Sequence, residues 1–121
     1  MVSVINIETG KVRHIFVGWR PVVSDDGKQI YSYLQQNGID TILFMGVHTN
    51  MCVLGRSFGI RQMTRWGMNC ILVRDMTDTM YNPAMPPKVP HDEGTELVVE
   101  HIEKYWAPTL TSNDLLASLG N

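Results

Sequence analysis

The chain has 121 residues, 44% hydrophobic and 18% charged, with a net charge of −2 and a pI near 6.0, which suits one domain with a single core over residues 1–121 and excludes the basic surface that nucleic acid or acidic lipid would demand. No apolar run exceeds strand length and no leader pattern opens the chain, so a membrane span and a signal peptide are not expected. Two cysteines are too few for a disulfide framework, and a reducing cytoplasm fits them.

Val2 to Ile7 and Val12 to Val17 are short β-prone stretches joined by Glu8-Thr9-Gly10-Lys11, a spacing that predicts a hairpin or extended edge strands. Pro21 to Gly38 reads as a helix. Ser24 is placed to cap it, Asp25 and Asp26 fall in its first turn, and Gly38 stops it. Ile30, Tyr33 and Leu34 make its buried stripe, while Gln35, Gln36 and Asn37 face water.

Thr41 to Val47 is a nearly unbroken apolar run, the mark of a strand buried on both faces of a parallel sheet. After the polar break His48-Thr49-Asn50, Cys52 opens a helical stretch predicted to run to about Trp66, where Gly67 stops it. Cys70 to Val73 supplies a second buried strand. Strand, helix and strand make a βαβ unit, and in such sheets the pocket lies beyond the carboxyl ends of the strands. Cys52 falls there.

A thiol in the first turn of a helix meets unpaired N–H groups that favour thiolate, the nucleophilic form. The competing reading is a small buried hydrophobe. Asn50 or Thr49 is placed to cap this helix. Gly55 and Gly59, four apart, predict close approach to the sheet. Arg56, Arg61 and Arg65 form a basic edge with solvent as its default environment, and Arg56, nearest the rim, is the candidate for a substrate carboxylate.

Asp75 to Pro83 reads as a polar loop on the same rim, with Asp75 in a structural role and Tyr81 and Asn82 as candidate substrate contacts. Met85 to Pro90 is a stiff connector. Asp92 to Tyr105 is a helix whose Leu97, Val98, His101, Ile102 and Tyr105 share one face, making His101 a core histidine; His91, just before it, is structural as well. Pro108 to Thr111 suits a short strand, and Ser112 is placed to cap a last helix that runs through Leu119 and ends at Gly120.

Gly46-Val47-His48-Thr49-Asn50-Met51-Cys52-Val53 resembles the nucleophile motif of the isochorismatase-like cysteine hydrolases, usually Gly-Val-Ala-Thr-Asp-x-Cys-Val. That family includes isochorismatases, nicotinamidases and N-carbamoylsarcosine amidases. The similarity extends through Val73-Arg74-Asp75 and covers roughly Val22 to the C-terminus. It implies a three-layer αβα, Rossmann-like α/β fold with a mainly parallel sheet, N-terminally truncated relative to the family, with residues 1–20 an atypical β-prone segment ahead of a family-like region at 21–121. It also implies a hydrolase whose Cys52 thiolate attacks a small amide or related substrate. Backbone N–H groups of His48 and Cys52 would form the oxyanion hole, and a cis peptide would join Val47 to His48. Asn50, Arg56, Tyr81 and Asn82 are the substrate-binding candidates.

The sequence departs from the family in three ways. The family's Asp is missing from Met1 to Gly18. Its Lys is missing near Trp19 and Arg20, where Arg20 reads as a solvated loop residue whose pKa bars it from the lysine's part. The Asp and His that hold zinc in nicotinamidase-like members are not matched either, so no metal and no cofactor is expected. The alternative is a truncated, non-catalytic α/β module. His48 replaces a small residue four positions before Cys52; it either pairs with the thiol or packs into the pocket wall or a subunit contact. A sheet lacking its first strands exposes a strand edge, which predicts a homo-oligomer unless the N-terminal hairpin covers that edge.

Overall fold

The computed structural model describes residues 2–8, 11–17 and 26–119, with side chains from Asp26 to Ser118. Ser24, Asp25 and Arg20 lie outside the described residues. The elements in chain order are β1 (Val2–Glu8), β2 (Lys11–Val17), α1 (Gly27–Gln36), β3 (Thr41–Val47), a π-helical turn (Thr49–Val53), α2 (Ile60–Arg65), β4 (Asn69–Asp78), α3 (His91–Tyr105), β5 (Thr109–Leu110) and α4 (Ser112–Leu119).

The described strands form one sheet in the order β2-β1-β3-β4-β5. β3, β4 and β5 pair in parallel. The β1–β2 hairpin is antiparallel, and β1 lies against β3, from Val2 opposite Gly46 to Ile5 opposite Leu43. The hairpin therefore covers the edge of β3, the condition under which the sequence did not require self-association.

Alternation along the strands builds three layers. Ile42, Phe44, Cys70 and Leu72 point to the face covered by α1, α2 and α3, where they join Ile30, Leu34, Met63, Val99 and Ile102. Leu43 and Val73 point to the other face, under Leu115 of α4. Phe44, Ile42 and Leu72 are fully buried, each contributing about 1.5–3 kcal/mol by removal from water.

The bounds of β3 agree with the sequence reading, whereas β4 runs on through Asp75 to Asp78, a stretch read as loop. Polarity misled there because the strand is irregular. Phe44 pairs with Leu72, yet Gly46 pairs with Thr77, so Met45 alone stands opposite Val73 to Met76. Such a bulge frees polar residues from the sheet's burial pattern. Gly46 takes φ 114 at this point, a conformation favouring glycine. Arg74 then turns to Glu96 and Glu103 of α3, and Asp75 turns to the opposite face, accepting from the Ser112 backbone at 2.7 Å and from its hydroxyl. Asp75 thus has the structural role expected of it. These bonds hold its carboxyl below the usual range.

Three helical expectations need correction. α1 is capped by Asp26, whose carboxylate accepts from the Lys28 and Gln29 N–H groups. The single helix expected from Cys52 to Trp66 is broken at 56–59. Gly59 is the reason: a Cβ there would lie 2.9 Å from the Val53 carbonyl oxygen. The chain folds back on its own turn, and neither glycine marks approach to the sheet, since Gly55 is exposed with open space around it. In α3 the buried residues are Gly94, Val99 and Ile102. Leu97 is 45% and Tyr105 61% exposed, and His101 is exposed rather than a core histidine. No helix among the described residues is long and apolar enough to cross a membrane.

Candidate active site

β3 delivers the chain to the carboxyl edge of the sheet, where Val47 and His48 are joined by a cis peptide, as the resemblance implied. His48 opens the next turn in an extended conformation, and its carbonyl accepts from Met51 N at 3.1 Å and Val53 N at 3.2 Å. The second bond spans five residues and defines the π turn, a widened turn often found at functional sites. Cys52 sits in it, half-buried.

Neither Thr49 nor Asn50 caps this turn. Thr49 is fully buried, and its hydroxyl bonds that of Thr77 on β4. Asn50 bonds the backbone of Met80 through both ends of its amide. These two cross-links set the Cys52 turn against the end of β4. The helical run after Cys52 stops at Gly55, so the turn has no dipole of a long helix behind it.

Cys52 opens on a cavity of about 400 Å³ with Asn50, Met51, Gly55 and Arg56 in its walls. Cys52, Asn50 and Arg56 are therefore brought together. His48 is half-buried beside them but lines neither this cavity nor its neighbour, and among the described residues its side chain makes no hydrogen bond with Cys52. Asn82 is exposed and accepts from Ala84 N at 3.0 Å, which makes it a turn residue. Tyr81 lines the neighbouring groove. Its hydroxyl donates toward the Val89 carbonyl and accepts from Val89 N at 3.1 Å, pinning the connector. Cys70, by contrast, is buried in the core, and burial pushes its thiol up from the ordinary value.

Sequence reasoning missed the role of Asp78. It pairs with Val47 at the rim and holds His91 Nε2 at 2.8 Å, while His91 Nδ1 meets the Tyr81 carbonyl at 3.1 Å. His91 is thus structural, as expected, and closes the base of the connector. Bonding to Asp78 raises its pKa and lowers that of Asp78. Arg61 was missed as well. With Arg65 it lies over Trp106, at 5.3 and 5.5 Å from the ring centre, so these two arginines do not form a purely solvated edge. Arg61 Nε is buried without a hydrogen-bond partner, a cost of about 1–3 kcal/mol. The signal available was its place seven residues after Leu54; both line the same groove. Among the described residues, no group of three or more His, Cys, Asp or Glu is placed to hold a metal ion.

The family model described as Isochorismatase domain matches residues 24–114. A cysteine hydrolase from Pseudomonas syringae pv. phaseolicola 1448A shares the fold with a TM-score of 0.63 and 18% identity. The likeness covers 76% of this chain and 42% of that one, so this chain spans less than half the length of that relative. No curated protein matches.

Proposed function

Because the chain belongs to the isochorismatase family, we propose that it is a cysteine-dependent hydrolase acting on a small amide or related acyl compound. The observation that carries this reading is the place of Cys52, half-buried in the turn that leaves β3 and opening on a cavity sized for a small molecule. The Cys52 thiolate attacks the carbonyl carbon, and the carbonyl π electrons move onto oxygen. Backbone N–H groups of His48 and Cys52 stabilise that oxyanion. Collapse expels the amine, which takes up a proton, and water then hydrolyses the thioester to return the thiol. Arg56 lines the cavity and serves substrate placement toward a carboxylate, while Asn50, its amide held by Met80, serves through the shape of the wall. Tyr81 and Asn82 act on substrate at most through the connector they fold.

A second reading, a non-catalytic α/β module, is favoured by one observation. The described lining of the Cys52 cavity holds neither an Asp nor a Lys to complete the family's catalytic set. Incubation with a small activated ester, followed by mass spectrometry, separates the two. A hydrolase shows an acyl adduct on Cys52 that decays with turnover and is absent from Cys52→Ala. A module shows either no adduct or one that never turns over. The cysteine count motivates the proposal of a cytoplasmic location, which cell fractionation tests; sedimentation tests the homo-oligomeric state, for which the hairpin along β3 removes the uncovered-edge argument.

A further inference from the structure

Next to the Cys52 cavity lies a second concavity of about 370 Å³, with Asn50 in both linings. Leu54, Pro87, Leu97 and Val98 give it apolar sides. Two of its polar residues are already committed. The Asn50 amide is taken up by Met80, and the Tyr81 hydroxyl by Val89 and Met85. Arg61 and His101 remain.

Arg61 presents a planar guanidinium fork suited to a carboxylate. Its guanidinium lies over Trp106, its Nε is buried without a partner, and among the described residues it forms no ion pair. Of the acids on α3, Glu96 and Glu103 are engaged by Arg74, and among the described residues none forms an ion pair with Arg61. A half-buried guanidinium with its Nε unpaired, at the wall of an apolar groove, is matched by one anionic group on an apolar body. A monocarboxylate meets that need at less desolvation cost than a doubly charged phosphate.

We propose that this groove binds a small monocarboxylate with an apolar body, held by Arg61 and flanked by His101, at a site separate from the Cys52 cavity.

The test is calorimetric titration of Cys52→Ala protein with 3-phenylpropanoate, beside the neutral 3-phenylpropan-1-ol. Removing the thiol makes the readout independent of hydrolysis, so an inert Cys52 and an empty groove are separate failures. The acid is expected to saturate and to bind at least tenfold more tightly than the alcohol. Adding Arg61→Gln should weaken the acid at least tenfold. Since Arg61 packs on Trp106, Leu97→Glu provides a second variant at an exposed position. It supplies Arg61 with an internal carboxylate and should weaken the acid to a similar degree. Absence of saturation into the millimolar range, equal affinity for acid and alcohol, or undiminished binding by Leu97→Glu would each overturn the proposal.

Discussion

Asn50 grips Met80 from both sides of its backbone, donating from Nδ2 to the carbonyl at 3.1 Å and accepting at Oδ1 from the N–H at 3.0 Å. Among the described residues Met80 has no other tie of this kind to the Cys52 turn, and its own side chain is exposed. Asn50, two residues before Cys52, therefore anchors the chain leading to the connector that walls the second groove. With two net hydrogen bonds at an exposed site, Asn50→Ala should cost about 1–2 kcal/mol of stability. Urea denaturation measures that loss, and limited proteolysis should show earlier cleavage between Met80 and Lys88. Unchanged cleavage would mean that Tyr81 and His91 hold the connector without Asn50.

The Asp78–His91 pair gives stability a defined pH window. His91 has a raised pKa, chiefly from the Asp78 carboxylate and then the Tyr81 carbonyl, with Asp92 also nearby. Its contribution is present below the usual histidine value of about 6.5 and is lost as pH rises through the raised folded value. Asp78 is lowered by the same bond, so its contribution is present above about pH 4 and is lost as pH falls through its depressed folded value. The stability difference between the parent and His91→Gln should therefore be greatest between about pH 4 and 6.5 and shrink toward pH 8. Urea midpoints across that range check it; a pH-independent difference would remove the ion pair from the account.

How far the fold was legible follows from where local pattern and tertiary context agreed. Ile42, Leu43 and Phe44 are buried on alternate faces of β3, so the hydrophobic run of Thr41 to Val47 alone marked the strand and the position of Cys52. Asp75 to Asp78 hid a strand because the bulge opposite Met45 sends its polar residues to α3 and α4. Leu97 and Tyr105 looked like the core face of α3, yet the helix is rotated so that Gly94 meets the Tyr81 ring. A ring supplied by a distant loop leaves no trace in the helix's own periodicity. The clamp on Met80 and the Asp78–His91 pair were invisible for the same reason, joining residues 30 and 13 apart in sequence.

Two glycines should respond in opposite directions to alanine. A Cβ on Gly27 would fall 1.8 Å from the Ser57 carbonyl oxygen, and the Gly27 N–H donates to the Ser57 hydroxyl at 3.0 Å. Backbone would have to move, so Gly27→Ala should cost at least about 2 kcal/mol. Gly55 has open space around its missing Cβ, and Gly55→Ala should stabilise by about 0.5–1 kcal/mol through the unfolded chain. Thermal and urea melts of the two variants test both signs.

The two thiols should differ in kind, since one opens on a cavity and the other lies in the core. Cys70 is 5% exposed, and burial raises its pKa, so reaction with iodoacetamide requires the chain to open. Cys52 is half-buried and lines the rim cavity, so it needs no opening. In the native protein Cys52 should react at least about a hundredfold faster than Cys70, because folding equilibria of ordinary domains exceed that factor. In concentrated urea the two rates should converge. Peptide mass spectrometry over a time course reads both sites in one experiment. Equal native rates would mean that β4 opens freely at Cys70 and that the core around Leu72 is not closed; a slow Cys52 would mean that the cavity is shut in solution, and the hydrolase reading would fall with it.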